Sequence, residues 1–184
     1  ARSEVTRTQV DPAGFNIITD FMFDDRGLLT KTIQPDSGLE LCEYDPNGNK
    51  TKCTDPMGGI RQWLFDNRNL VTKAIDEASN FSTIEYDGLA NKTKIVNAEG
   101  TIFHYLYNDK SFLTKTIEDV GGIARTTQFL HDESHHLTKS IDPSGTIAET
   151  LYDSVFRVTK TIRDSGGKNI ESITLFDSLS RVTK

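Results

Sequence analysis

A threonine with an apolar residue or lysine before it and a base after it recurs nine times, at Thr6, Thr30, Thr51, Thr72, Thr93, Thr114, Thr138, Thr159 and Thr183. The successive intervals are 24, 21, 21, 21, 21, 24, 21 and 24 residues. A period of that length marks a repeat architecture, in which one small unit is stacked many times. Six residues ahead of each threonine from Thr30 onward stands Asp24, Asp45, Asp66, Asp87, Asn108, Asp132, Asp153 or Asp177. Directly before that position stands Phe23, Tyr44, Phe65, Tyr86, Tyr107, His131, Tyr152 or Phe176. Three residues after the threonine comes Ile33, Thr54, Ile75, Val96, Ile117, Ile141 or Ile162, followed by a turn-forming stretch such as QPDSG, TDPMGG, DPSG or RDSGG. The distance from aromatic to threonine never changes. Each three-residue insertion therefore falls between a threonine and the next aromatic, as a longer loop or a longer strand.

Each unit holds two short alternating stretches and two turn signals, the pattern of a β-hairpin and its connection. In the segment from Tyr44 to Thr51, Pro46 in the second place of the turn, Asn47 next and Gly48 fourth predict a type I turn closed by a glycine bulge. Aspartate in the first place is expected to bond the turn amides. Simple strand alternation over Leu29–Ile33 puts Leu29, Lys31 and Ile33 on one face and Thr30 and Thr32 on the other. Stacked hairpins make a continuous all-β strip in which the aromatics form a column about 9–10 Å apart. Aromatic cross-strand pairs contribute roughly 0.2–1 kcal/mol each. The lysines that follow the threonines lie about one Debye length apart and repel one another weakly. Residues 1–184 read as a single repeat region of about eight units with no separate second domain.

Composition agrees. There are 22 threonines and 17 aspartates against 8 alanines and 2 methionines, a balance that favours strands and turns over helices. The net charge of −6 comes without a lysine or arginine cluster, which argues against a nucleic-acid partner. No run of 18 apolar residues is present to span a bilayer, and the start does not resemble a signal peptide. Ala1-Arg2-Ser3, without methionine, fits a mature, excised or partial chain. Two cysteines leave the redox compartment undecided.

Residues that break the repeat are where a site would show. All four histidines, His104, His131, His135 and His136, fall within 33 residues, and His135-His136 takes the place of Gly48-Asn49. A metal needs about three convergent ligands, and a polar turn is the expected reading, with no metal. Cys42 and Cys53 flank the 44–51 hairpin. A two-residue Asn47-Gly48 turn would pair them directly, whereas a bulged three-residue turn would set Cys42 nearer Lys52. Two reduced strand cysteines are expected in preference to a cross-strand disulfide, the alternative, and neither is activated. Trp63, two residues before Phe65 on the same strand face, reads as core, or, if exposed, as a stacking platform for a sugar. The acidic pairs Asp24-Asp25 and Asp76-Glu77 read as turn residues. There is no GxSxG, HExxH, P-loop or CxxC motif, so no catalytic residue, no cofactor and no enzyme is expected.

The units YDPNGNKT at 44–51 and TDPMGG at 54–59, and IDPSG at 141–145 with YDSVFRVT at 152–159, resemble the YD repeats of the RHS family. That family comprises bacterial Rhs polymorphic toxins, the shell-forming subunits of insecticidal Tc toxins, and teneurins. The resemblance runs from about Val5 to Lys184, with Asn108, His131 and several glycine-free turns as departures. It implies a β-strip that spirals into a hollow shell, which in bacterial members encloses a toxic C-terminal polypeptide. The implied partners are the rest of the chain's own shell and an enclosed toxin or effector polypeptide, in a secreted or cell-surface protein. An extracellular glycan- or protein-binding recognition module is the alternative. IDPSG reads as an ordinary repeat turn, and no position here matches the family's C-terminal self-cleavage region. A strip with two open edges is expected to aggregate alone or to need the rest of its shell.

Overall fold

The computed structural model describes residues 6–10, 14, 17–164, 167–177 and 179–183. Ala1-Arg2-Ser3, Val5, Lys184 and the Ser165-Gly166 pair of the RDSGG turn lie outside the described residues. The described chain is all-β. No helix in it is long and apolar enough to cross a membrane.

Within each unit the strands are ordered along the sheet as they are along the chain. Two compact units are present, Ala1–Glu85 and Tyr86–Lys184. The first holds β1 (Arg7–Val10), β2 (Ile17–Phe23), β3 (Leu29–Ile33), β4 (Leu39–Tyr44), β5 (Lys50–Thr54), β6 (Ile60–Phe65), β7 (Val71–Ile75) and β8 (Phe81–Tyr86), which ends at the boundary. The second holds β9 (Lys92–Val96), β10 (Ile102–Tyr107), β11 (Leu113–Val120), β12 (Ile123–His131), β13 (Leu137–Ile141), β14 (Ile147–Tyr152), β15 (Val158–Asp164) and β16 (Ile170–Ile173). Pairing within each unit is antiparallel, so a repeat is two strands and two turns.

Both turns of a repeat are built alike. In the Asp45 turn, Gly48 N–H donates to the Asp45 carbonyl at 3.1 Å and Asp45 N–H donates to the Asn49 carbonyl at 2.9 Å. Gly48 sits at φ +88°, which makes a type I turn with a left-handed fourth residue. The same two bonds close the Asp55 turn, through Gly58 and Gly59. Glycine is not obligatory. Asn69, Ser79, Ala90, Ser111, His135 and Phe156 hold the fourth place with φ between 63° and 72°, and each keeps the same closing bonds.

Beyond the turn, the anchor threonine is a bulge. Phe23 pairs with Leu29 but Met22 with Lys31, which leaves Thr30 unpaired. The same slip leaves out Thr51, Thr72, Thr114, Thr138 and Thr159. Each of these hydroxyls donates to the carbonyl of the residue before the aromatic, as Thr30 Oγ1 does to Met22 at 3.2 Å and Thr114 Oγ1 to Leu106 at 3.1 Å. A bulge inserts one residue and flips the alternation behind it. The expectation that Leu29 shares a face with Lys31 is therefore corrected: Leu29 lies opposite Phe23 on the aromatic face, while Lys31 and Ile33 share the other.

The insertion before Thr138 lengthens strands. β11 and β12 run out to the Val120–Ile123 pair and turn through Gly121-Gly122, both at positive φ. Neither unit has a closed core. Thr32 and Cys42 are the buried side chains among the described residues, and Leu64, Leu106, Leu130 and Leu151, each just before an aromatic position, are 44–50% exposed. Trp63, read from the sequence as core, is half-buried.

Candidate functional site

The most organised chemistry of the chain lies along the turn edge, where each Asp-led turn grips itself and then its neighbour. One carboxylate oxygen of Asp66 accepts the amides of Arg68 at 2.9 Å and Leu70 at 3.0 Å. Asp24 takes Arg26 and Leu28 in the same way, Asp153 takes Val155 and Arg157, and Asp177 takes Leu179 and Arg181. Asn108 makes the pair with its amide oxygen, to Lys110 and Phe112. The Leu70 amide, followed by Arg68, holds the Asp66 carboxyl below the ordinary carboxylate range. At Asp45 the side-chain amide of Asn49 is the largest cause of the same downward shift.

Neighbouring turns meet through a fixed pair of positions, the residue that closes one turn and the left-handed residue of the next. Asn49 Nδ2 donates to Asn69 Oδ1 at 2.7 Å, and Asn91 Nδ2 to Ser111 Oγ at 3.0 Å. Further along the second unit the same positions are rings. Phe112 stacks on His135 with centroids 4.3 Å apart, and His136 stacks on Phe156 at 4.5 Å. Phe112 also meets His131 at 5.6 Å, and His136 meets Tyr152 at 5.0 Å. Arg157 continues the row over Phe176 at 4.4 Å. Three of the four histidines thus serve the ladder, and His136 Nδ1 lies 3.3 Å from Asp132 Oδ2. His104 stands on β10 on the face of the lysine row, opposite Lys94.

The aromatic positions of the repeat add a second tie. Tyr44, Tyr107 and Tyr152 donate from their hydroxyls to the carbonyls of Leu29, Lys92 and Leu137, at 2.8 to 3.0 Å. Burial, then the charges of Asp24 and Glu40, raises the Tyr44 phenol above its ordinary value. Residue by residue, Phe23, Tyr44, Phe65, Tyr107, His131, Tyr152 and Phe176 are half-buried along this edge. Open grooves lie between successive turns, one lined by Asn47, Thr51, Trp63 and Asp66, another by Lys139, Glu149, Tyr152 and Phe156.

On the aromatic face, Cys42 and Cys53 pair directly and form a disulfide, with Cα atoms 4.2 Å apart. Two expectations are corrected here. The turn is bulged, yet the bulged Thr51 absorbs the extra residue, so the strands return to register and Cys42 meets Cys53 and not Lys52. The cysteines, expected to be reduced, are joined, because directly opposed residues of a narrow antiparallel pair come within disulfide reach. Glu40, two residues back on the same face, places Oε1 3.9 Å from Cys42 Sγ and 3.8 Å from Cys53 Sγ. This is the one group of three metal-ligating side chains that converges among the described residues.

No family profile matches the chain, and no curated protein sequence matches it. Solved structures do. The chain is similar to TcdB2-TccC3 (TM-score 0.63, 11% identity, 90% of this chain and 12% of that one) and to TcdB2-TccC3-TEV (TM-score 0.61, 11% identity, 90% and 11%). The Photorhabdus luminescens Tc holotoxin pore matches at TM-score 0.50 and 12% identity, over 90% of this chain and 12% of that one. The chain thus has the fold of a stretch of these Tc toxin structures, an open strip of antiparallel β-hairpins, and spans about a ninth of their length. That fold is the one the YD-type units of the sequence resemble.

Proposed function

We propose that this chain is a non-catalytic wall segment of an RHS-type shell that helps enclose a toxin or effector polypeptide in a secreted or cell-surface protein. One observation carries the reading: strands pair throughout each unit while almost nothing is buried. A domain that works alone buries a contiguous cluster of large apolar side chains as its core. Here Leu64, Leu106, Leu130 and Leu151 stay exposed on one face, and the aromatic positions stay half-buried on the other. Such a strip suits a wall whose faces are covered by other parts of the same shell or by its contents. The ties between turns stiffen the strip across the strands, which is what a wall requires.

The test is a structure of the full-length protein. Expected is this stretch as part of a closed sheet, with one face turned toward enclosed polypeptide. A strip standing free, with both faces solvated, would contradict the proposal. A recognition module remains the competing outcome, and reproducible glycan binding lost on replacing Trp63 would favour it.

A further inference from the structure

The convergence of Glu40, Cys42 and Cys53 is independent of the wall role. We propose that, when the disulfide is reduced, these three side chains form a binding site for a thiophilic divalent cation such as Zn2+. Thiolates and a carboxylate are ordinary zinc ligands, and three protein ligands with one open position make a tetrahedral site. Two sulfurs bound at about 2.3 Å in tetrahedral geometry stand about 3.8 Å apart. A carboxylate oxygen on the same ion stands about 3.5–3.7 Å from each sulfur, and Glu40 Oε1 lies a few tenths of an ångström beyond that, at 3.9 and 3.8 Å. The sulfurs themselves need only part from bonding distance, which rotation about their Cα–Cβ bonds supplies across a 4.2 Å Cα pair.

The surroundings favour the carboxylate as a ligand. Arg61, opposite Cys53, donates from Nε to Glu77 at 2.8 Å and is drawn to that side. Among the described residues Glu40 has no ion pair, and its side chain faces the sulfurs. Cys42 is buried and Glu40 and Cys53 half-buried, so part of the site is shielded from water while an entry remains.

The chemistry balances. A dithiol reductant gives two electrons to the Cys42–Cys53 bond and leaves as its own disulfide, and each sulfur ends as a thiol. Cation binding then releases both thiol protons, as thiolate ligation requires. Reoxidation by a small-molecule disulfide passes the two electrons to that disulfide, which leaves as two thiols after taking up two protons. The Cys42–Cys53 bond reforms and the cation is expelled, so disulfide and metal site exclude one another.

The full chain, reduced and freed of reductant without air, would be titrated with Co2+ and then displaced with Zn2+. Expected is one Co2+ per chain with the thiolate-to-cobalt charge-transfer band of a tetrahedral site, and no band for the oxidised chain. Cys42→Ser and Cys53→Ser should each abolish the band, and Glu40→Gln should weaken binding by roughly 10-fold or more. Glu43→Gln, on the same strand but the opposite face, should bind as the parent does. A reduced chain without the band overturns the site. So does a Glu40→Gln variant that binds like the parent, or a Glu43→Gln variant that loses binding equally.

Discussion

The Tyr44 hydroxyl donates to the Leu29 carbonyl oxygen at 2.8 Å, across fifteen residues of sequence. Leu29 pairs with Phe23, the aromatic of the preceding repeat, and leads into the Thr30 bulge. The bond therefore ties one repeat's aromatic to its neighbour's bulge, and phenylalanine at the same position cannot make it. Tyr44→Phe is expected to cost about 1 kcal/mol of stability, read by chemical denaturation of the chain, and Tyr152→Phe a similar amount. An unchanged unfolding midpoint in both variants would show the tie to be idle.

At Asp66 the carboxylate accepts two backbone amides, whereas at Asn108 a neutral amide oxygen does the same work at 3.1 and 2.9 Å. Asp66→Asn should thus preserve the turn at neutral pH, and Asp66→Ala should lower the thermal midpoint. If Asn and Ala prove equally damaging, the acceptor geometry is not what holds the turn.

Acid should loosen the turn edge. Backbone amides lower the carboxyls of Asp24, Asp66 and Asp153, with Leu28, Leu70 and Arg157 as the largest causes, and the arginine side chains of these turns act in the same direction. A carboxyl depressed by folding stabilises fully above its unfolded value, near 4, and that contribution is lost as pH falls through the lower folded value. The unfolding midpoint should be flat above about pH 5 and fall below about pH 4. Asn80→Ala and Asn49→Ala should flatten that decline, because their side-chain amides are the largest cause of the downward shifts at Asp76 and Asp45. A midpoint that rises on acidification would contradict the assigned signs.

Ala90 occupies the left-handed place of its turn at φ +67°, where Gly48 sits at +88°. A left-handed alanine costs roughly 1–2 kcal/mol relative to a permitted conformation. Ala90→Gly should accordingly stabilise by about 1 kcal/mol, and Gly48→Ala should destabilise by a similar amount. Opposite signs for the pair in a denaturant titration are the expected result. A destabilising Ala90→Gly would mean that the methyl group makes a contact outweighing the backbone strain.

The hairpin period, the aromatic–Asp–Thr spacing and the turn type were legible because they repeat along the chain. What joins neighbouring repeats was not, since it runs across the strands. Nothing in the spacing of Asn49 and Asn69, or of His136 and Phe156, announces that a closing residue meets the left-handed residue of the next turn. Swapping amides for rings at one position hides the rule further, and made three histidines read as interruptions. The threonine was visible as an anchor but not as a bulge, because alternation was carried straight through it. The bulge moves Leu29 to the aromatic face and, of the two registers open to the cysteines, selects the one that pairs Cys42 with Cys53. One extra residue after every type I turn is the signal in the sequence that carries both.

The wall role is tested most directly on the full-length protein, by comparing its mass under denaturing conditions with its size in native buffer. Expected is a C-terminal polypeptide that separates on denaturation yet travels with the shell and resists added protease before it. A full-length protein whose C-terminal region is open to protease in native buffer, or leaves freely, would contradict enclosure.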